Sequence, residues 1–322
     1  MGQEDQRFDE HLDMGNQTTV SYFVLSGVSS EPQLQPFLFV VFLLIYLLTV
    51  VGNGAIMAVI KADPHLHTPM YFFLFHLSFL DICYSSVTVP MMLQNFVRDK
   101  KTISLHGCLA QMSLILLVAC TEIFMLSAMA YDRYAAICDP LHYGGTMTKQ
   151  ICIRLVAAAW LISVLYAMIN TAPVLHLHFC GPKEVNNFSC ELPSLLEVSC
   201  TAIITSKMTF LTSAMIVSLT SFSITLVSYI CIISTILRIR SAKGRSKAFS
   251  TCSSHLTVVV LYYGAALFRY LRPSSASSVV LDRLFSIQYS ILTPMLNPII
   301  YSLRNREVKA ALGNLLGKMQ GI

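Results

Sequence analysis

Met129-Ala-Tyr-Asp-Arg-Tyr-Ala-Ala-Ile-Cys-Asp-Pro-Leu-His-Tyr143 lies where a long apolar segment meets a charged loop. Its Asp132-Arg133-Tyr134 triplet is a poor lipid anchor and a good latch. Arg133 can pair with Asp132 in one state and release to meet another partner in a second. At the end of a membrane helix, such a latch implies a switch that reports from one face of the bilayer to the other.

The bulk composition supplies the membrane. The chain has 322 residues, is 55% hydrophobic and only 12% charged, against about 25% charge in soluble domains. Mean hydropathy is +0.63. A spanning helix needs about 20 mostly apolar residues. Seven segments qualify, near 36–60, 69–92, 105–138, 151–172, 206–237, 248–271 and 281–303. The expected fold class is therefore all-α, a seven-helix membrane bundle. Residues 1–35 form an N-terminal segment, 36–303 the bundle and 304–322 a tail.

Orientation follows from the bases in the short loops. With the N-terminus outside, the inner face carries thirteen Lys and Arg against four Asp and Glu, a balance of +9, and the outer face nine against eleven. The excess is a topology signal; no basic stretch is interleaved with aromatics, and no nucleic acid is expected as a partner. Residues 1–35 contain no apolar run of the signal-peptide kind, so the first span is expected to direct insertion itself. Asn16-Gln-Thr and Asn187-Phe-Ser are glycosylation sequons on the predicted outer side, the second crowded against Cys190. In the tail, Val308, Ala311, Leu312, Leu315 and Leu316 recur at helical spacing between basic flanks. That pattern predicts a short amphipathic helix on the inner leaflet, in contact with lipid.

Of ten cysteines, Cys83, Cys120, Cys138, Cys152, Cys231 and Cys252 fall in or near helices or inside, where small apolar filler is the plain reading. Cys108, Cys180, Cys190 and Cys200 are all predicted outside, where disulfides form. Four cysteines allow three pairings, and spacing does not choose among them. His176 and His178 lie nearby without a metal-ligand spacing, so neither a metal nor a cofactor is expected.

Two acids, Asp81 and Glu122, fall inside predicted spans at similar depth, and Asn53 and Asn297 can join them. Such groups face a bundle interior or a wet cavity. They form either a water or sodium pocket that differs between states, or a static knot between helices. The sixth span starts with a polar turn at 247–256, and a polar inner end suits a moving part. Within it, His255 is either a pH-sensitive contact or a satisfied structural histidine. Pro294 and Pro298 free backbone carbonyls and bend the seventh span; Tyr301, one turn on, either swings with the bend or sits beside a fixed kink.

Taken in order, these motifs resemble the olfactory receptors, a branch of the rhodopsin-like G-protein-coupled receptors. The resemblance rests on Gly52-Asn53, Leu66-His-Thr-Pro-Met-Tyr71, Leu77-Ser-Phe-Leu-Asp81, the run from Met129 to Tyr143, Ser228-Tyr229, residues 247–256, Tyr263-Gly264 and residues 294–305. One such motif is weak; the ordered set over seven spans is specific. Tyr262-Tyr-Gly stands where Phe-Tyr-Gly is more usual, and the match starts near Asn16, making Met14 an alternative start.

The resemblance implies disulfides Cys108–Cys190 and Cys180–Cys200. It implies an activation switch built on Asp132, Arg133, Tyr134, Tyr229, His255, Asn297, Pro298 and Tyr301. Expected partners are a small volatile, mostly apolar odorant and a stimulatory olfactory-type G protein that raises cyclic AMP, with trafficking chaperones as possible helpers. The expected location is the plasma membrane of olfactory sensory cilia. Helical faces suggest a ligand pocket of Ile115, Leu116, Ala119, Cys120, Ser213, Val217, Tyr263, Ala266, Tyr270 and Ser290, each of which also reads as ordinary packing.

Rival classes fare worse. A receptor of the same fold outside the nose is not separable by sequence. A transporter would show repeated, broken helices at matching positions, and none is seen. Enzyme chemistry is not expected, since neither His-Glu-x-x-His nor Gly-x-Ser-x-Gly occurs and Gly244-Arg-Ser-Lys247 lacks phosphate-loop spacing.

Overall fold

A computed structural model describes residues 21–29, 31–98, 101–179, 184–201, 203–271, 279–304, 307–311 and 313, without the side chains of 247, 251, 265–271, 279–280 and 302–304. In chain order the elements are β1 (Tyr22–Leu25), α1 (Gln35–Ala62), α2 (Pro69–Val97), β2 (Thr102–Ser104), α3 (Leu105–Cys138), α4 (Tyr143–Thr146) and α5 (Lys149–Thr171). There follow β3 (Glu184–Val185), α6 (Leu192–Glu197), α7 (Ile204–Arg238), α8 (Ala242–Leu271), α9 (Val279–Ile287) and α10 (Thr293–Arg304). A π-helical turn, Gln288–Leu292, joins the last two into one span.

The seven expected spans are thus α1, α2, α3, α5, α7, α8 and the α9–α10 unit. Five, α1 to α3 with α5 and α7, are each long and apolar enough to cross a membrane. At about 1.5 Å per residue, the 34 residues of α3 reach roughly 51 Å, more than the hydrocarbon requires. The sixth span begins at Ala242, so the polar turn at 247–256 is its second turn and beyond, not its first.

The bundle carries apolar side chains on its outer surface as well as in its core. On α1 the exposed side chains are Phe37, Val40, Leu44, Leu47, Leu48 and Val51, while Thr49 and Asn53 are buried. Lipid rewards apolar surface, so polar groups that can find partners go inward. The apolar stretch of α3 is 67% buried against 11% for α1, which makes α3 the axis of the molecule. It packs on α2, α5, α7 and α8. Where α1 meets α10, a Cβ on Gly52 would stand 3.1 Å from Pro298 Cγ, so glycine gives the closest crossing and any side chain there would push Pro298 back by a few tenths of an ångström.

The outer face adds a small sheet to the all-α bundle. β1 pairs antiparallel with β2, Tyr22 opposite Ser104, and parallel with β3, Leu25 opposite Val185, in the order β2-β1-β3. Short polar loops gave no alternating pattern from which to expect this sheet. The Cys108–Cys190 disulfide fastens the loop after β3 to the outer end of α3. Gln111, one turn further on, locks the same place: its Nε2 donates to Val87 O at 2.8 Å, and its Oε1 accepts from Cys190 N at 2.8 Å. Cys200 is disulfide-bonded; Cys180 lies outside the described residues, as do Asn16 and Leu312, Leu315 and Leu316 of the tail. Residues 307–311 are helical, with Val308 and Ala311 packed under the bundle.

Replacing Gln111 with Leu would leave the Cys190 N–H and the Val87 carbonyl without these partners, at a cost of about 1–3 kcal/mol. A lower melting temperature of the purified protein in detergent is the expected result; an unchanged one would show that the clamp carries no weight.

Candidate functional site

The functional groups occupy three levels along α3. At the outer level is a cavity of about 480 Å³, within the usual range for small-molecule sites. The wall on α3 is Met112, Ile115, Leu116, Ala119, Cys120 and Ile123; on α7 it is Phe210, Leu211, Ala214, Val217 and Ser218. Tyr84, Tyr166, Tyr262, Phe285, Gln288 and Tyr289 complete the sides, and Leu192, Pro193 and Leu196 of α6 cover the top. The loop fastened by the disulfide therefore forms the roof.

Of the residues expected from helical faces, Ile115, Leu116, Ala119, Cys120 and Val217 line this cavity. Ser213 instead faces α5, where its hydroxyl and the Asn170 amide hold each other at 3.0 and 3.1 Å. The Tyr263 hydroxyl pairs with Ser221 Oγ at 2.6 Å, and its neighbour Tyr262 takes the wall position. Ser290 Oγ donates to Ser286 O at 2.5 Å, while Gln288 and Tyr289 reach the cavity. The π turn explains this last shift, since a wider turn slips the facing register by about one residue. The side chains of Ala266 and Tyr270 lie outside the described set. Phe210, Ala214 and Val217 share one face of α7 at i, i+4 and i+7, a signal that periodicity alone holds; Tyr84 and Tyr166 needed the packing to reveal them.

The middle level is polar. Pro298 has no N–H, so the Pro294 carbonyl lacks its helical donor. Asn53 Nδ2 supplies one at 3.0 Å and also donates to Thr49 O at 3.0 Å. Asn297 Nδ2 donates to both Asp81 oxygens at 3.0 Å. Asn53, Asp81 and Asn297 thus tie α1, α2 and α10 together. Glu122 is equally buried on α3, and its Oε1 has no bond among the described residues.

The inner level is the latch. Arg133 Nε donates to Asp132 Oδ2 at 2.9 Å, and Nη2 contacts the same oxygen. Tyr143 Oη donates to the other oxygen, Oδ1, at 2.8 Å. Burial, and next the Asp132 carboxylate, push the Tyr143 phenol up, so it remains a protonated donor. Both oxygens of a fully buried carboxylate are therefore engaged, one of them from α4. Nearby, Tyr229 Oη and His255 Nδ1 lie 2.7 Å apart between α7 and α8. Tyr134 packs partly buried beside Tyr229 and Ile232. Tyr301 is buried, its hydroxyl without a bond among the described residues. Tyr71 Oη donates to Glu307 Oε2 at 2.5 Å, joining α2 to the helical turn after α10.

Asn187 is 4% exposed, its Nδ2 lying 3.4 Å from Ser286 Oγ and its Oδ1 accepting from Phe188 N. A glycan on that nitrogen does not fit this packing. Among the described residues no three His, Cys, Asp or Glu side chains converge on a metal site.

Comparison with known proteins adds a common theme. A family model described as "Olfactory receptor" matches residues 42–318. Olfactory receptor 8S1 of Homo sapiens is 51% identical over 296 residues, 92% of this chain and 82% of that protein. Olfactory receptor 8U3 of Mus musculus is 47% identical over 303 residues, covering 94% and 95%. Olfactory receptor 5A1 of Homo sapiens is 48% identical over 301 residues, covering 94% and 96%.

An indole at Ala119 would fill part of the cavity from α3. The Ala119→Trp variant should bind a small apolar fluorescent probe about tenfold more weakly, equivalent to about 1.4 kcal/mol. Equal binding in the purified variant would place the probe elsewhere.

Proposed function

We propose that this chain, which belongs to the olfactory receptor family, binds small volatile, mostly apolar molecules in the outer cavity and activates a stimulatory olfactory-type G protein, raising cyclic AMP. It is a multi-pass plasma-membrane protein. Its family is one of receptors, not of enzymes. One observation carries the proposal: a mostly apolar, roofed cavity and the Arg133 latch sit on the same helix. From Ala119 to Arg133 is 14 residues along α3, roughly 21 Å of rise.

The chemistry is a change of partners, with no covalent step. In the latched state Asp132 and Tyr143 hold the inner end of α3, and the Tyr229–His255 pair holds α7 to α8. In the active state the inner end of α8 moves outward, and Arg133 exchanges Asp132 for the incoming helix of the G protein. A ligand drives that exchange only through tighter binding to the active state. Tyr262 is the wall residue on α8, so a ligand against it senses the moving helix directly. The basic inner junction of α7 and α8, with Arg238 ending α7, Arg240 between the helices and Lys243 and Arg245 at the start of α8, supplies a positive rim for an acidic partner surface.

Cyclic AMP in cells that express the chain with an olfactory-type stimulatory G protein tests this reading against a broad odorant panel. A ligand-specific rise is expected, and Arg133→Ala should abolish it at matched surface expression; undiminished signalling would refute the role of Arg133. Tyr143→Phe removes one of the bonds that hold Asp132. It should raise basal cyclic AMP about two- to tenfold, the effect of about 0.5–1.5 kcal/mol on a two-state equilibrium, and a fall below wild type would contradict the latch.

A further inference from the structure

We infer that the outer cavity is built for an apolar molecule carrying a hydrogen-bond donor, a hydroxyl or an amino group, anchored on the Glu191 carboxylate. The inference rests on the ligand-binding part of the proposed function and names the chemistry of its ligand.

Glu191 follows the disulfide residue Cys190 and lines the cavity, yet it is only 5% exposed. Among the described residues its carboxylate accepts one bond, a long one from Ser189 Oγ at 3.3 Å. Among the described residues the ion pairs are Arg133 with Asp132 and His142 with Asp139, so no cation is paired with Glu191. A carboxylate offers about four acceptor sites, and burying one with so few donors is costly. The molecule that enters the cavity is the natural source of the missing donor.

Two neighbours point the same way. Gln288 lines the cavity, and its Oε1 has no bond among the described residues. Its orientation is chemically determined. Thr293 Oγ1 spends its one proton on Gln288 O at 3.0 Å, so it can only accept from the amide, and Nε2 lies 3.4 Å from it. The oxygen must therefore face away from Thr293. Tyr84 is 2% exposed, lines the same cavity, and has a hydroxyl with no bond among the described residues. Both atoms are closed off from the open cavity, so Glu191 is the anchor, and these two add to it only when their side chains turn toward a ligand.

Ligand classes divide on this capacity. A hydrocarbon meets none of it. An ether, ester or aldehyde accepts from Tyr84 and leaves Glu191 and Gln288 unmet. An alcohol or an amine carries the donor that Glu191 lacks. A site with buried polar groups rejects the analogue that leaves them unpaired more strongly than an apolar pocket rejects a change of size. Lys207, also in the wall, is exposed at the outer end of α7, where water satisfies it.

The experiment takes the purified full chain in detergent. Its melting temperature is recorded with the alcohol, amine, aldehyde, methyl ether and hydrocarbon of a straight, a cyclic and an aromatic skeleton. On at least one skeleton, the alcohol or amine should stabilise the protein at concentrations about tenfold lower than the ether or hydrocarbon requires, the weight of a bond to a charged acceptor. Glu191→Gln should remove most of that preference. Gln288→Met serves as a second variant should the first fail to fold, and should reduce the preference for the alcohol. Equal binding of ether and alcohol, no binding by any member, or an unchanged preference in a folded variant would each overturn the inference. Cyclic AMP is measured in cells beside it. Donor-dependent stabilisation without cyclic AMP would sustain this inference and sink the signalling proposal; cyclic AMP driven equally by ether and alcohol would do the reverse.

Discussion

The Asn53 amide sets the terms for the rest of the bundle. In a lipid core every backbone carbonyl needs an internal donor, and Pro298 deprives Pro294 of its own. Asn53 restores it from another helix, and Gly52 beside it lets α1 and α10 approach closely. The bend in the seventh span is therefore a tertiary feature. Asn297 faces Asp81 across the same junction, so α1, α2 and α10 form one unit, held by hydrogen bonds where apolar contact with neighbours gains little over contact with lipid.

Against that unit, α3, α7 and α8 are joined by side-chain hydrogen bonds. Tyr229 meets His255, Tyr263 meets Ser221, Ser127 Oγ reaches Ser221 O, and Tyr262 Oη reaches Ala119 O. In the proposed mechanism the first unit is the stationary part and α8 the moving one. The cavity lies along the seam between them, with Tyr84 on one side and Tyr262 on the other.

The spans were legible because hydrocarbon thickness imposes a length and lipid imposes a composition, and both are local properties of the chain. Basic loops showed the orientation, and the Asp-Arg-Tyr triplet showed the latch. The cavity was half legible. Ile115, Leu116, Ala119 and Cys120 follow from one face of a regular helix, and Val217 from another. Tyr263 and Ser290 do not line it: Tyr263 turns to Ser221 on α7, and Ser290 lies in a π turn where a count of 3.6 residues per turn loses its register. Tyr84, Tyr166 and the α6 roof come from elements distant in sequence, and nothing periodic announces them. The outer sheet was illegible for a related reason. Its strands are two to four residues long and carry no pattern of their own.

By itself, then, the sequence determined the order and length of the spans and the residue types available for a latch, because each depends on a residue and its near neighbours. Tertiary structure alone decided which of two adjacent tyrosines faces the cavity and which amide fills the carbonyl freed by proline. It alone showed that Tyr143 holds the second oxygen of Asp132, and that Glu191 is buried at the cavity wall. Those are questions of pairing between distant segments. A polar group inside a membrane is defined by the partner it finds, and that partner is chosen only when the helices pack.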